Sequence, residues 1–368
     1  MAEVIVIGAG IVGLATARFL AGEGVSVLVV EGERVGAEAS SAAGGILAAQ
    51  AEAQDEEALL PLALAGRDHH LLLAPSLEAE TGIVVDHSQR GLLKIALAES
   101  GAEQLLERAA WHRRHGLDVE VLEPEELREA EPNLNPAALR ALYFRGDHRV
   151  DNVRLTKALA ASAVARGASI LVGRPVSGLV IENGCVAGVS VGTEVFRAPV
   201  VVNAMGAWAG RLGGDPAPPP VEPVRGQMAA FDLSPPLLRH VVYSGHGYLV
   251  PRADGRLLAG STTERAGFDK SVTASGLKTV LTTALEIAPA LADARISETW
   301  AGLRPATPDG LPVIGPGAVP GLIHAGGLFR NGILMGPLVG EIAGEIAMGR
   351  SPRMDVLAFA PSRFRPAV

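Results

Sequence analysis

Residues Glu3–Glu31 read EVIVIGAGIVGLATARFLAGEGVSVLVVE, and this stretch decides the fold class of the chain. Val4–Ile7 is a run of β-branched residues, which favours a buried parallel strand. A G-x-G-x-x-G sequence follows, then apolar residues at helical spacing, and then a second apolar run that ends at Glu31. The order of strand, glycine-rich turn, helix and strand predicts a Rossmann-like α/β unit.

Each glycine of the motif has a separate chemical reason. Gly8 permits the tight turn from strand to helix, Gly10 lets backbone N–H groups approach a pyrophosphate, and Gly13 lets helix and strand pack closely. The phosphates then lie at the positive end of the helix. Glu31, at the end of the second strand, is placed to accept hydrogen bonds from ribose hydroxyl groups. The motif predicts dinucleotide binding but does not separate NAD from FAD.

Length, composition and charge narrow the class of protein. The chain has 368 residues, enough for two domains, with 48% hydrophobic and 20% charged residues, as in globular proteins. The net charge of −8 argues against nucleic acid or an anionic membrane surface as a partner. The single cysteine, Cys185, cannot form an internal disulfide, which suits a reducing compartment. No membrane-spanning run or basic signal-peptide start is present, so we expect a cytoplasmic protein.

Three further segments bear on ligand binding and domain organisation. Residues 34–50, RVGAEASSAAGGILAAQ, can press backbone amides against a ligand, and Ser40 and Ser41 can add hydroxyl donors. Residues 321–349 again have the order strand, glycine-rich turn and helix. The proline-rich residues 213–223 cannot join a sheet interior, so they predict a crossing between domains.

The remaining pattern alternates helices with short strands. Helices are expected at 56–81, 103–115, 123–131, 151–165 and 272–287, and strands within 82–98, 169–205, 225–231 and 240–260. Asp151 has the character of a helix N-cap, and Asn183-Gly184 that of a hairpin turn. His69 and His70 are adjacent on one helix and therefore point in different directions, so we expect no metal site there.

Three blocks of sequence resemble the D-amino acid oxidase superfamily of FAD enzymes. They are residues 3–31 with SSAAGGIL at 40–47, GLRPATPDGLPVIG at 302–315, and GGLFRNGILMGP at 326–337. Together with GYLVPR at 247–252, the last block is most similar to glycine oxidases of the type linked to thiazole formation in thiamine synthesis. The resemblance extends along nearly the whole chain.

The resemblance implies two domains. Residues 1–85, 146–219 and 301–368 would form a Rossmann-like FAD-binding domain. Residues 86–145 and 220–300 would form an α+β substrate-binding domain built on a large mixed sheet over the flavin. No cysteine is evident for covalent attachment, so FAD would be held non-covalently. The family also implies a homo-oligomer, either a dimer or a tetramer.

The resemblance also implies which residues hold FAD. The backbone of Val176 would meet the adenine, and the backbone of residues 327–334 would face the carbonyl edge of the isoalloxazine. The full set implied for the cofactor is Gly8, Gly10, Ile11, Val12, Gly13, Glu31, Ser40, Ser41, Gly44, Gly45, Ile46, Val176, Gly206, Trp208, Arg304, Gly327, Arg330, Asn331, Gly332, Ile333 and Leu334.

Four residues are implied at the substrate. Arg304 would match the arginine that binds the substrate carboxylate, a role that suits its bidentate fork of donors. Tyr248 would help to hold the same group, His246 would lie at the edge of the site, and Arg330 would lie near substrate and flavin. Thr263 stands where the best-known glycine oxidases carry a methionine, which leaves the size of the substrate's side chain open.

The activity implied is oxidation of glycine and other small amines, including sarcosine and small D-amino acids. A hydride would pass to flavin N5, water would hydrolyse the imine to the 2-oxo acid and ammonia, and O2 would reoxidise the flavin to give H2O2. Two alternatives stay open. One is a dehydrogenase of D-amino acids or secondary amines that uses another electron acceptor. The other is a dinucleotide-binding protein without catalysis.

Overall fold

Alternating strands and helices make up the chain in the computed structural model, which describes residues 2–53 and 58–364. The strands are β1 (Val4–Ile7), β2 (Val27–Val30), β3 (Ile46–Leu47), β4 (Leu92–Ala96), β5 (Glu120–Leu122), β6 (Arg140–Phe144), β7 (His148–Arg149), β8 (Ser169–Leu171), β9 (Gly178–Glu182), β10 (Cys185–Val191), β11 (Glu194–Arg197), β12 (Val200–Asn203), β13 (Glu222–Asp232), β14 (Val241–Tyr243), β15 (Tyr248–Pro251), β16 (Arg256–Gly260), β17 (Arg295–Ala306), β18 (Val313–Pro316) and β19 (Leu322–Gly326). The helices are α1 (Ile11–Gly22), α2 (Ala39–Ala42), α3 (Leu59–Thr81), α4 (Glu99–Arg114), α5 (Pro124–Ala130), α6 (Asn152–Ala165), α7 (Ala274–Ile287) and α8 (Gly332–Ala347). Short 3₁₀ segments lie at Gly206–Arg211, Pro289–Asp293, Leu357–Phe359 and Pro361–Phe364.

The first sheet is mostly parallel, in the order β18-β19-β12-β1-β2-β8, with helices on one face and the β9–β11 strands on the other. Strand β1 lies between β2 and β12 and is parallel to both, so all four of its residues are buried. The chain returns to this sheet near residue 200, where β12 pairs with β1. The predicted Rossmann-like unit is therefore present, with α1 between β1 and β2.

Helices α1 and α8 pack against each other through small residues. Gly336, Gly340 and Gly344 recur every four residues along α8 and so share one face. A Cβ atom at Gly340 would lie 2.5 Å from the Val12 carbonyl oxygen, and one at Gly344 would lie 2.4 Å from the Phe19 ring. The two helices can approach this closely only because these positions carry no side chain.

The second sheet is the predicted large mixed sheet, with eight strands in the order β17-β13-β16-β15-β14-β4-β6-β5. Strands β4 and β14 are parallel, whereas the other neighbours pair in antiparallel fashion. Helix α7 packs on one face and α4 on the other. Strand β17 crosses the predicted domain boundary at residue 301, and the division into domains stays a prediction.

Local predictions for turns and caps are confirmed at two places. The Asp151 side chain accepts hydrogen bonds from the backbone N–H groups of Val153 and Arg154 and caps α6. Asn183 and Gly184 join β9 to β10 with φ angles of 51° and 79°, as a tight hairpin turn requires.

One local prediction is wrong in part, and another needs the detail of the strand pairing. Within residues 82–98 only β4 is a strand, because the Val85 N–H donates to Glu78 Oε1 and its carbonyl accepts from Asp151, so both groups have partners outside a ladder. The proline-rich stretch was predicted to stay out of a sheet interior. Strand β13 begins at Glu222, and Pro223 pairs on one side only, with Pro305 of β17, because the pairing with β16 starts at Met228.

Two further findings concern the start of α3 and the character of the helices. The helix predicted from residue 56 begins at Leu59, and residues 56 and 57 lie outside the described residues. Within the described ranges, none of the helices combines the length and apolar character needed to cross a membrane.

Candidate active site

A cleft runs from the glycine motif at the N-terminus of α1 to the strands of the second sheet. Fourteen of the residues implied for cofactor and substrate line it: Gly10, Ile11, Val12, Ser40, Gly44, Gly45, Ile46, Gly206, Tyr248, Arg304, Arg330, Asn331, Gly332 and Ile333. Gly8, Gly13, Glu31, Ser41, Val176, Trp208, His246, Gly327 and Leu334 are not part of this lining.

The glycine motif makes the turn at the closed end of the cleft. Gly8 has a φ of 103°, and a Cβ atom there would lie 2.6 Å from the Ala204 carbonyl oxygen. A Cβ atom at Gly13 would lie 2.0 Å from the carbonyl oxygen of Gly8. Side chains are excluded at both positions, so these two glycines shape the turn while Gly10 faces the cleft.

Polar side chains surround the N-terminus of α1. The Ile11 N–H donates to Ser40 Oγ over 2.9 Å, and the Ala9 N–H donates to Glu31 Oε2 over 2.7 Å. Glu31 thus stands at the end of β2 beside the turn. The Ser41 hydroxyl instead donates to a backbone carbonyl of the preceding loop.

The remaining implied cofactor contacts lie at separate places. Val176 packs into the apolar cluster on the far face of the first sheet. The Trp208 ring lies 5.1 Å from that of Phe268. Gly206 and Gly327 have φ angles of 53° and 69° and form turns at the ends of β12 and β19.

Arg304 on β17 projects over β13 into the cleft. Its Nη2 donates to Ser261 Oγ over 2.6 Å, and its Nη1 donates to the Thr262 carbonyl over 3.1 Å. A Cβ atom at Gly226 would lie within 2.5 Å of the guanidinium, so this glycine leaves room for it. Burial lowers the pKa of Arg304. Within residues 2–53 and 58–364, no carboxylate lies at ion-pair distance from this cation.

Two tyrosines stand opposite each other beside Arg304. Tyr248 and Tyr243 pair across β14 and β15, with ring centroids 5.3 Å apart. The Tyr248 hydroxyl donates to Ser261 Oγ over 3.3 Å, and that of Tyr243 donates to Glu52 Oε1 over 2.5 Å. Burial, reinforced by Glu52, raises the pKa of Tyr243 well above its usual value.

Sequence reasoning missed Tyr243 and Glu52. The sequence YSGHGY at 243–248 contained a signal for Tyr243, because a four-residue loop sets its two flanking residues opposite each other in a hairpin. No comparable signal marked Glu52, since its contact with Tyr243 spans 191 positions of the chain.

An outer cavity of about 790 Å³ adjoins the cleft at Tyr248. The exposed Arg330 stands at the junction, and its Nη2 donates to Thr263 Oγ1 over 3.0 Å. His246 is exposed on the wall of this cavity and does not reach the inner cleft. Lys94, which the sequence reasoning missed, also lines it and donates to the Ala51 carbonyl over 3.4 Å. Burial lowers the pKa of Lys94.

The N-terminus of α8 forms the third wall of the cleft. Its N-cap, Asn331, makes no side-chain capping bond, and Asn331, Gly332 and Ile333 all line the cleft. The first-turn N–H groups of a helix have no partner inside it and carry its positive dipole end. A carbonyl edge placed in the cleft can accept hydrogen bonds from this turn.

The residues present fit FAD. One end of the cleft offers a helix N-terminus with a glycine turn, which suits a pyrophosphate. Glu31 lies beside this turn, outside the cleft lining, where a carboxylate suits a ribose. The other end offers the N-terminus of α8 beside Arg304. Among the described residues, no group of three or more His, Cys, Asp or Glu side chains is arranged to hold a metal ion.

The chain is similar to known flavoenzymes over nearly its full length. The family profile "FAD dependent oxidoreductase" (DAO) matches residues 3–346. A glycine oxidase of Pseudomonas putida is 36% identical, with 98% of each chain covered. A "Bifunctional protein ThiO/ThiG" of Synechocystis is 33% identical over 98% of this chain and 54% of its own length.

Solved structures agree with these relatives. The crystal structure of glycine oxidase from Geobacillus kaustophilus superposes with a TM-score of 0.94 at 34% identity, and 99% of each chain is covered. The match therefore includes both sheets and the cleft between them. The chain belongs to the DAO family of FAD-dependent oxidoreductases and is an FAD-dependent enzyme.

Proposed function

We propose that this enzyme oxidises glycine and other small amines, such as sarcosine and small D-amino acids, with O2 and water to the 2-oxo acid and H2O2, and that the nitrogen leaves as ammonia, or as methylamine from sarcosine. One observation carries the proposal, namely the cation of Arg304 in the cleft wall with no described carboxylate at ion-pair distance. Arg304 is half-buried, so its charge is stabilised by a counter-charge, and a substrate carboxylate supplies one. The names of the similar glycine oxidases support this choice of substrate.

Arg304 and Tyr248 hold the carboxylate in this proposal. An arginine has five N–H donors, and Arg304 commits one to Ser261 and one to the Thr262 carbonyl. The donors that remain can bind a carboxylate in a bidentate manner. The Tyr248 hydroxyl can turn its single O–H from Ser261 Oγ, which also accepts from Arg304, to the carboxylate and so fix the tilt of the substrate.

The amine group then points away from Arg304. Glu52 lines both the cleft and the outer cavity, and Tyr243 holds its Oε1. Its carboxylate attracts a substrate ammonium, and Oε2 can take the proton that the amine must lose before oxidation. The bound FAD supplies the acceptor for the substrate hydride and the path of electrons to O2.

A second candidate is a dehydrogenase of D-amino acids or secondary amines that uses an acceptor other than O2. The outer cavity of about 790 Å³ favours it, because glycine alone does not need this space. Arg330 and Thr263 at its entrance can bind a polar substituent on such an amine. The choice of electron acceptor separates the two candidates.

The test is a product assay of the purified holoenzyme with glycine, sarcosine, D-alanine and D-proline. Release of one H2O2 and one ammonia per glycine in air supports the oxidase. Turnover of the larger amines with an artificial dye, together with little H2O2 in air, supports the dehydrogenase instead. Absence of turnover with every amine under both conditions contradicts both candidates.

The physiological setting is proposed from the resemblance to the thiamine-linked type and from the ThiO/ThiG relative. Loss of this protein should then create a need for added thiazole during aerobic growth. Normal growth without thiazole would refute that role and leave amine catabolism. We also expect a homo-oligomer, which light scattering of the purified protein checks. A cytoplasmic location stays a prediction.

A further inference from the structure

A proline leaves one carbonyl of α8 without its helical partner. In an α-helix the carbonyl of residue i accepts from the N–H of residue i+4. Four residues after Ile333 stands Pro337, which lies inside α8 and has no N–H. Ile333 belongs to the first turn of the helix, where it lines the cleft. Its carbonyl therefore needs a donor from elsewhere in the molecule.

His70 on α3 supplies that donor. Its Nε2 lies 2.9 Å from the Ile333 carbonyl oxygen and 3.2 Å from that of Leu334. Both oxygens can only accept, so Nε2 carries the proton and donates. The ring is fully buried, and burial lowers the pKa of His70 to about 3. The imidazole thus stays neutral and provides a hydrogen bond without adding a charge.

A second feature of α3 lets the first turn of α8 pack closely against it. Gly66 lies four residues before His70 and therefore on the same face of the helix. A Cβ atom at Gly66 would lie 2.9 Å from the Leu334 carbonyl oxygen and 3.1 Å from Met335 Cα. The close approach and the histidine hydrogen bond act together on one turn of α8.

We propose that His70 is a positioning residue for the flavin, because it replaces the hydrogen bond that Pro337 cannot make and so holds the first turn of α8 against the cleft. Residues of that turn line the cleft, and first-turn N–H groups have no partner inside the helix, so they can bind a carbonyl edge and stabilise negative charge on reduced flavin. The proposal rests on FAD binding in this cleft and not on which amine is oxidised.

The test compares H70L, H70Q, P337A and H70L/P337A, with the FAD dissociation constant and the reduction potential of bound FAD as readouts. H70L should weaken FAD binding about tenfold and make the reduction potential more negative. It leaves the buried Ile333 carbonyl without a hydrogen-bond donor and so loosens the first turn of α8. H70Q keeps an N–H at the same reach and should stay near wild type. P337A restores the helical N–H, so H70L/P337A should recover most of the loss.

A matched control is H112L, because His112 is also fully buried and its Nε2 lies 3.0 Å from the Gln50 carbonyl. P337A should not rescue H112L. Rescue of both histidine variants alike, or wild-type FAD affinity and potential in H70L, would overturn the proposal.

If H70L does not fold, the variants H70L/P337A and G66A still test the proposal. Folding of H70L/P337A would then support the proposal. G66A displaces the same turn while keeping the histidine, and it should shift the potential as well. Failure of H70L/P337A to fold, with wild-type affinity and potential in G66A, would count against it. Loss of amine turnover in H70L with unchanged FAD affinity and potential would also overturn the proposal, because the effect would then lie at the substrate and not at the flavin.

Discussion

At the scale of the residue, the proposed function depends most on Arg304. Its guanidinium is positioned by an uncharged hydroxyl and a backbone carbonyl, so its positive charge stays available to a ligand. Gly226 clears the space that the side chain occupies. The surrounding strands therefore hold the cation in one orientation before any substrate arrives, which lowers the ordering cost of binding.

Replacement of Arg304 by alanine should abolish most of the catalytic efficiency with glycine. Loss of a buried charge partner should cost about 3 kcal/mol of transition-state binding, or about 100-fold in kcat/KM. The FAD content should stay near wild type. R197A is the control, since Arg197 forms an exposed ion pair with Glu182 in a separate three-stranded sheet. A normal kcat/KM in R304A would contradict the assignment of the carboxylate.

Some residues of the cleft could be predicted from the sequence and others could not. Arg304, Tyr248 and Arg330 were found because short motifs surround them, and all three line the cleft. Tyr243 and Glu52 were not found, because their contact joins two segments that no local pattern connects. The family resemblance implied a place for His246 at the edge of the site. Its side chain is exposed in the outer cavity, and its role stays a prediction.

At the scale of the element, the contact between α1 and α8 holds the glycine motif beside the opposite wall of the cleft. Introduction of a methyl group by G340A should separate the two helices, because the new Cβ atom would lie 2.5 Å from the Val12 carbonyl oxygen. We expect a loss of about 1–3 kcal/mol in the free energy of unfolding and weaker FAD binding.

The control for G340A is G101A, in helix α4. A Cβ atom at Gly101 would meet nothing closer than 3.4 Å, so this change should be neutral or slightly stabilising. Urea unfolding of both variants checks the difference. Equal stabilities for G340A and G101A would show that the helix contact is loose.

The α3–α8 contact also predicts a pH dependence of stability. His70 has a folded pKa of about 3 against an ordinary value of 6.5, because it is buried, with His69 and His87 beside it. As the pH falls below about 6.5, the unfolded state binds a proton that the native state does not, so stability is lost.

H70Q removes this titration. Between about pH 7 and pH 5, its loss of unfolding free energy should be smaller than that of wild type by about 2 kcal/mol. Unfolding of both proteins at the two pH values checks this difference. Parallel losses in the two proteins would mean that His70 can take up a proton while the fold stays intact.

Elements were predicted well where their signals are local. The β1–α1–β2 unit, the Asp151 cap and the Asn183–Gly184 turn depend on neighbouring residues, and each is present. The prediction of strands across residues 82–98 is wrong for the first half of that range, because Glu78 and Asp151 provide the hydrogen-bond partners of the Val85 backbone there. A period-two pattern cannot reveal such distant partners.

At the scale of the whole molecule, the cleft is assembled from segments far apart in the chain. The glycine motif, Tyr248 on β15, Arg304 on β17 and the first turn of α8 all meet there. The pattern of the sequence indicates each segment, whereas the order of strands in the second sheet depends on pairings such as β4 with β14, nearly 150 residues apart. The resemblance to a known family predicted that large mixed sheet where periodicity alone did not.

Because the cofactor joins these segments, FAD should stabilise the whole molecule. Addition of FAD to the apoprotein should raise Tm progressively with FAD concentration. At a thousandfold excess over Kd the gain should be about 4 kcal/mol in the free energy of unfolding. Calorimetry over a series of FAD concentrations checks this expectation. A Tm independent of FAD would mean that the cleft does not bind it in the folded state.

The most direct test of the central claim is anaerobic mixing of the holoenzyme with glycine, followed through the visible absorbance of oxidised flavin. Glycine should bleach the wild type and R197A rapidly and R304A slowly, and the colour should recover with release of H2O2 when air is admitted. Persistence of the oxidised spectrum with glycine and the other small amines, in a protein fully loaded with FAD, would contradict it.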